Sequence, residues 1–125
     1  MFLMKELIKA FKSLSDETRL RTLNVLLEKE CCVCEVMQAL GISQTRASRS
    51  LMILHQAGFL RLRKEGLWSL YSIDKREMKK FYPLLVKAMK QGLAGSIVSD
   101  SDRERLKGAK RTGPGCGRGV KKGAD

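Results

Sequence analysis

Apolar residues at Leu3, Leu7, Ile8 and Phe11 recur at helical spacing and predict a first helix over about residues 2–12. Ser15-Asp16-Glu17 then supplies a side-chain cap and an acidic first turn for a second helix. Its buried stripe is Leu20, Leu23 and Leu27. A short third helix is predicted from about Val33 to Leu40, with Val36, Met37 and Leu40 inward. Gly41 suits the left-handed residue that closes it, and Ser43 caps a fourth helix ending near Gly58. Two helices joined by so tight a turn outline a helix-turn-helix. Beyond it, Phe59-Leu60-Arg61-Leu62-Arg63 alternates, Lys64-Glu65-Gly66 turns, and Leu67 to Ile73 alternates again, which predicts a β-hairpin. A fifth helix over about residues 75–95, capped by Asp74, carries Phe81, Leu84, Leu85, Ala88 and Met89 as its apolar face. Pro83 within it must kink the helix or delay its start. The fold class read from this pattern is mainly α with a β-hairpin wing, a winged helix-turn-helix.

The pattern then stops. From residue 99 large apolar side chains almost vanish and 6 of the last 25 residues are Gly, so the reading is a folded unit over 1–98 and a disordered, basic, Gly-rich tail over 99–125. Charge sharpens the picture: 25 Lys+Arg stand against 13 Asp+Glu, a formal net charge of +12. A body and a tail that are both basic suit a polyanion, and nucleic acid is the natural one. No apolar run approaches the roughly 18 residues of a membrane span, and the chain opens without a basic leader or a small-residue cleavage site, so a soluble cytoplasmic protein is expected. A single histidine, His55, leaves no partner for a Cys2His2 zinc site, and neither a catalytic zinc protease nor a Ser-His-Asp hydrolase is expected. No enzymatic activity is expected.

On a helix over residues 44–58, Ala47, Leu51, Leu54 and Gly58 share the inward face while Thr45, Arg49, Met52 and Gln56 lie opposite. Arg and Gln can pair with base edges in a major groove, and contacts concentrate at the start of a recognition helix. Gln44, Thr45, Arg46, Ser48 and Arg49 are therefore the candidate DNA contacts. Arg61, Arg63 and Lys64 of the hairpin suit phosphates. Trp68, Tyr71 and His55 read as packing residues. With Leu14-Ser15-Asp16-Glu17-Thr18-Arg19-Leu20-Arg21, Ser43 to Leu51, Ala57-Gly58-Phe59-Leu60 and Lys64 to Trp68 in order, the chain resembles the ArsR/SmtB family of dimeric winged-helix metal-sensing repressors across about residues 5–90. It departs at Ser50, where many relatives carry histidine.

Cysteines stand at 31, 32, 34 and 116. Glu30-Cys31-Cys32-Val33-Cys34-Glu35-Val36 resembles the Glu-Leu-Cys-Val-Cys-Asp-Leu box of the arsenic-responsive branch, with Cys32 and Cys34 on its two thiolate positions. The resemblance implies As(III) or Sb(III) as inducer and release of operator DNA on binding. Both metalloids are thiophilic, and the thiolate is the binding form. Residues i and i+2 of an α-helix point apart by about 200°, so gripping one ion requires the start of the third helix to unwind or to be irregular already. Distortion of residues 31–36 would then displace the helix over 44–58. A third ligand is open between Cys116, which is favoured, and Cys31. Zinc-sensing relatives place Asp and His on the last helix, and residues 75–98 offer only Glu77.

The resemblance further implies a homodimer through the first and last helices, with Phe2, Leu7, Phe11, Leu84, Leu85 and Met89 as the pairing residues. Two-fold symmetry predicts an imperfect palindromic operator of double-stranded DNA. The competing reading within the same fold is a thiol-based redox sensor or a sensor of another thiophilic metal. A small thiol reductase is disfavoured by the lack of a βαβ pattern and of a Cys-x-x-Cys motif.

Overall fold

A computed structural model describes residues 2–73 and 82–112. The elements are α1 (Phe2–Leu14), α2 (Glu17–Leu26), α3 (Val33–Leu40), α4 (Gln44–Gln56), β1 (Leu60–Glu65), β2 (Trp68–Ile73), α5 (Tyr82–Leu93) and α6 (Ile97–Gly108). Up to α5 their order is that of a winged helix-turn-helix. Helix α4 starts where its Ser43 cap predicts, whereas α2 is capped by Asp16, one residue after the expected Ser15. The Asp16 carboxylate accepts the Arg19 amide at 3.0 Å, and the Ser43 hydroxyl accepts the Arg46 amide at 3.2 Å, caps that each contribute about 1 kcal/mol. Gly41 closes α3 at φ 69°, a left-handed conformation that an L side chain adopts only with strain, and this sets the turn into α4.

The wing is an antiparallel pair in which Leu60 faces Ile73 and Glu65 faces Trp68, so Gly66 and Leu67 form a two-residue loop. The core lies between α2, α3 and α4: Leu23, Val25, Val36, Ala39, Ala47, Leu51 and Leu54 are fully buried. Phe59 and Tyr82 complete it at the root of the wing, their rings stacked 4.3 Å apart. Gly58, expected inward, is exposed instead, because α4 ends at Gln56 and the chain turns sharply there with Gly58 at φ 95°.

Two expectations change towards the C-terminus. The described part of the fifth helix starts at Tyr82, with Pro83 in its first turn, where a missing amide costs no helical hydrogen bond. Tyr82, Val86 and Met89 face inward, whereas Leu84 and Ala88 are exposed and Leu85 is half-buried. Asp74, Glu77 and Phe81 lie outside the described residues. The second change is larger. The segment read as a disordered tail from residue 99 is α6 over Ile97–Gly108, capped by Ser96, whose hydroxyl accepts the Ser99 amide at 3.3 Å. Its buried stripe is Ser99, Asp102 and Leu106. With one large apolar residue in that stripe, composition registers no helix, and attachment through a buried charge has no hydrophobic signature. Residues 113–125 lie outside the described residues. No described helix is long and apolar enough to cross a membrane.

Candidate nucleic-acid interface and thiol site

The packing of Ala47, Leu51 and Leu54 orients α4, leaving Gln44, Thr45, Arg46 and Arg49 exposed and Ser48 half-buried. Arg46 also donates from Nη2 to the Thr18 hydroxyl at 2.8 Å, which ties the start of α4 to α2. On the wing, Arg61 and Lys64 are exposed, and the Lys64 ammonium donates to the Ser69 hydroxyl at 2.9 Å. Arg63 is engaged differently from the phosphate role assigned to it. It forms a bidentate pair with Glu30 at 2.7 Å through each of two nitrogens, and reaches Glu65 at 3.1 Å. That hydrogen bonding raises the Arg63 pKa and lowers that of the Glu30 carboxyl. Arg63 thus fastens the wing to the segment entering the cysteines.

Cys32 and Cys34 are both fully buried, with their sulfurs 2.7 Å apart. Cys32 is the residue before α3, in an extended conformation at φ −90° and ψ 172°, and Cys34 is the second residue of the helix. The 200° divergence of i and i+2 on a helix therefore does not apply. The cap residue lies off the helix and turns its side chain back over the first turn. Of the two geometries expected, the start of α3 is already irregular, and no unwinding is needed to bring the thiols together. Leu70 of β2 is buried against the pair, with Val33 and Trp68 beside it.

Glu35 supports this geometry from below. Almost wholly buried, its carboxylate accepts the Cys32 amide at 3.0 Å and meets Lys29 Nζ at 2.6 Å and Arg111 Nε at 2.9 Å. Burial alone pushes its pKa up, but the Lys29, Cys32 and Arg111 hydrogen bonds together outweigh that and hold it below the ordinary value. The Arg111 guanidinium lies over the Trp68 ring at 6.0 Å and interacts electrostatically with Cys32. The positive end of α3 also faces the two thiols.

Cys31 is placed apart. It is buried in the main core, its backbone bridged to Tyr71 at 2.9 and 2.8 Å, and its thiol donates to the Lys29 carbonyl at 3.4 Å. Burial, reinforced by the Glu35 charge, pushes this thiol up to about 12. In the extended segment adjacent side chains alternate, so Cys31 turns away from the face that Cys32 presents to Cys34. Cys116 lies outside the described residues. The chain leading to it is nevertheless fastened beside the pair: Gln38 Nε2 donates to the Lys110 carbonyl at 2.7 Å, and Gln38 Oε1 accepts the Lys110 amide at 3.0 Å. From Thr112, four residues span at most about 14 Å.

The sequence reading missed Glu35, Gln38 and Arg111 as parts of this site, and Trp68 as its wall. The capping signal of a carboxylate three residues after Cys32 was present for Glu35. Arg111 carried no local signal, because its role depends on α6.

Two helices around a short turn, an exposed recognition face and a basic hairpin define a winged-helix DNA-binding protein. Residues 16–67 match the family of bacterial regulatory proteins described as the arsR family. The chain is 40% identical over 97 residues to the arsenic resistance transcriptional regulator ArsR1 of Pseudomonas putida, an alignment covering 77% of this chain and 68% of that protein. It is 41% identical over 76 residues to a cadmium resistance transcriptional regulatory protein CadC homolog of Staphylococcus aureus, covering 60% of this chain and 63% of that one. Among solved structures, the homodimeric winged helix-turn-helix domain of Mb0332 from Mycobacterium bovis superposes with a TM-score of 0.62 at 24% identity, over 76% of this chain and 84% of that one. The chain belongs to the ArsR family. Its fold and family are those of transcriptional regulators, not of enzymes.

Proposed function

We propose that the protein is a homodimeric repressor that holds an imperfect palindromic operator through α4 and releases it when As(III) or Sb(III) binds Cys32 and Cys34. The observation that carries this reading is the pair of buried sulfurs 2.7 Å apart at the start of α3, the first helix of the helix-turn-helix. The likeness to the ArsR1 regulator supports the metalloid as ligand. Cys116 is the third ligand, supported by the fastening of residues 110 and 111 beside α3 and by the separate placement of Cys31. With three thiols, arsenous acid loses its three hydroxyls as water, each taking one thiol proton, and three As–S bonds form.

Gln44, Thr45, Arg46, Ser48 and Arg49 face the major groove, while Arg61 and Lys64 take phosphates. Arg63 joins them only if its pair with Glu30 opens. The second subunit covers the exposed stripe of Met4, Ile8 and Phe11 on α1 together with Leu84 of α5. Leu7 and Leu85, both half-buried, border that surface, whereas Met89 packs within its own subunit. The side chain of Phe2 lies outside the described part.

Fluorescence anisotropy on DNA from the gene's own promoter, titrated with arsenite under reducing conditions, tests the reading. Expected are tight binding, release by arsenite, and a weakened arsenite response in Cys116→Ser. Release by peroxide or cadmium but not by arsenite would transfer the pair to redox or cadmium sensing. The DNA face has its own test. Arg49→Ala weakens operator binding about 5- to 150-fold, the equivalent of one lost bidentate base contact, and reduces discrimination against mismatched sites in the same assay.

A further inference from the structure

Helix α6 is fastened to both ends of α3. At the C-terminal end, the carbonyls of Ala39 and Leu40, in the last turn where helix carbonyls lack helical donors, accept Arg105 Nε at 2.8 Å and Arg21 Nη2 at 3.0 Å. Both arginines converge on Asp102, which is wholly buried: Arg21 reaches its two oxygens at 2.8 Å each, and Arg105 Nη2 reaches one at 2.9 Å. Leu40 is followed directly by the turn into α4. This clamp therefore grips α3 where α3 hands over to the recognition helix.

The segment after α6 then runs back along α3 from Gln38 to Glu35, towards its N-terminal end. Gln38 and Lys110 exchange two hydrogen bonds, and Arg111 pairs with Glu35 while covering Trp68. Glu35 in turn holds the amide of Cys32. The thiol pair and the turn are thus joined by a second connection parallel to α3 itself. A ligand shifts an equilibrium only by interacting differently with its two states. Here the arm that holds Glu35, and through it the Cys32 amide, is also the arm that continues into the clamp, so occupancy of the pair and closure of the clamp draw on the same contacts.

We propose that α6 and its 109–112 arm transmit occupancy of the cysteine pair to the recognition helix, with Arg111 at the thiol end and Asp102, Arg21 and Arg105 positioning α4 at the other. This rests on the reading of Cys32 and Cys34 as the metalloid site. In the DNA-competent state the arm and clamp are closed. Metalloid binding shifts the seat of the arm on α3 while keeping it beside the pair, the clamp opens, and α4 loses its fixed orientation.

Arg105→Gln in the full-length protein tests the relay. Its side chain is about half exposed, far along α3 from the thiols, and Arg21 still neutralises Asp102. Operator affinity is read by anisotropy with and without saturating arsenite, and arsenite affinity by the fluorescence of the single tryptophan, Trp68, beside the pair. Because the free protein is mainly closed, weakening the closed state tightens arsenite binding by a factor expected to be about fivefold or more and loosens operator binding by no more than that factor. A merely structural residue would loosen DNA binding without tightening arsenite binding. Wild-type constants in Arg105→Gln, or looser DNA binding with unchanged arsenite affinity, overturn the relay and leave the metalloid site standing. A wild type whose Trp68 fluorescence and operator binding both ignore arsenite overturns the metalloid reading and the relay with it. As a second variant, Arg111→Gln reduces the ratio of operator affinities without and with arsenite. An undiminished ratio counts against the relay.

Discussion

Serine at Cys32 or at Cys34 leaves the protein on its operator at arsenite concentrations that strip the wild type, with the half-release point moved up by at least about a hundredfold. The size follows from what a ligand does: loss of a partner that merely orients a metal ligand costs about 10- to 100-fold in affinity, and loss of the ligand itself costs more. Operator affinity without arsenite stays within about threefold, because neither thiol lies on the exposed face of α4. The two variants differ in stability. Cys32 occupies the cap position of α3, where serine is among the preferred residues, so Cys32→Ser melts near or above wild type. Cys34 lies wholly inside the cluster with Leu70 and Trp68, where a hydroxyl without a matching partner costs about 1–3 kcal/mol, so Cys34→Ser melts lower. Anisotropy titrations and thermal melts of the two variants check both statements. Equal melting points would mean that a serine hydroxyl at position 32 gains no cap hydrogen bond on α3.

How far the sequence discloses this molecule depends on which interaction builds each part. Helices α1 to α4 and the hairpin are legible because apolar periodicity and polar caps specify them: Gly41 and Ser43 sit where those signals place them, and the cap of α2 falls on Asp16, one residue beyond Ser15. Helix α6 is not, because Asp102 is buried by virtue of two arginines, one of them 81 residues away in the chain. The thiol pair is legible as a pair but not in its geometry. Spacing on an ideal helix separates Cys32 from Cys34, and only the boundary of α3 between them brings them together. Tyr82 fills the core position that the pattern leaves open beside Phe81, since a tyrosine is buried only where its hydroxyl finds an acceptor.

The same distinction qualifies the net charge. Arg21, Arg63, Arg105 and Arg111 are each held by a carboxylate, and Arg19 donates from Nε to the Ser13 carbonyl at 2.6 Å. The formal charge of +12 already nets off these carboxylates, so the pairing leaves the charge unchanged and instead limits which basic side chains can reach DNA. The sequence-reading part of recognition falls on the few exposed side chains of α4, which is why a single change at Arg49 is expected to matter.

Phe59→Ala is expected to cost about 3–5 kcal/mol, enough to lower the melting point by more than about 12 °C or to unfold the protein at ordinary temperature. Phe59 is buried and stacks on Tyr82 where α4 ends and β1 begins, so its ring joins the recognition helix, the wing and α5 at one point. Neighbouring changes at this joint separate its components. Tyr82→Phe keeps the stack and removes the hydroxyl that donates to the Ala57 carbonyl, for about 1–2 kcal/mol. Gly58→Ala places a methyl group 3.3 Å from Tyr82 Cε2 on a backbone at φ 95°, and its cost has both a steric and a conformational part. The two are coupled through the Tyr82 ring, so Gly58→Ala costs less once Phe59 is alanine and the ring can shift. Urea melts of the single and double variants measure that coupling. Operator affinity per folded molecule stays near wild type if the joint supports the reading face without being part of it, and a proportionate loss of affinity would place the wing root itself at the DNA.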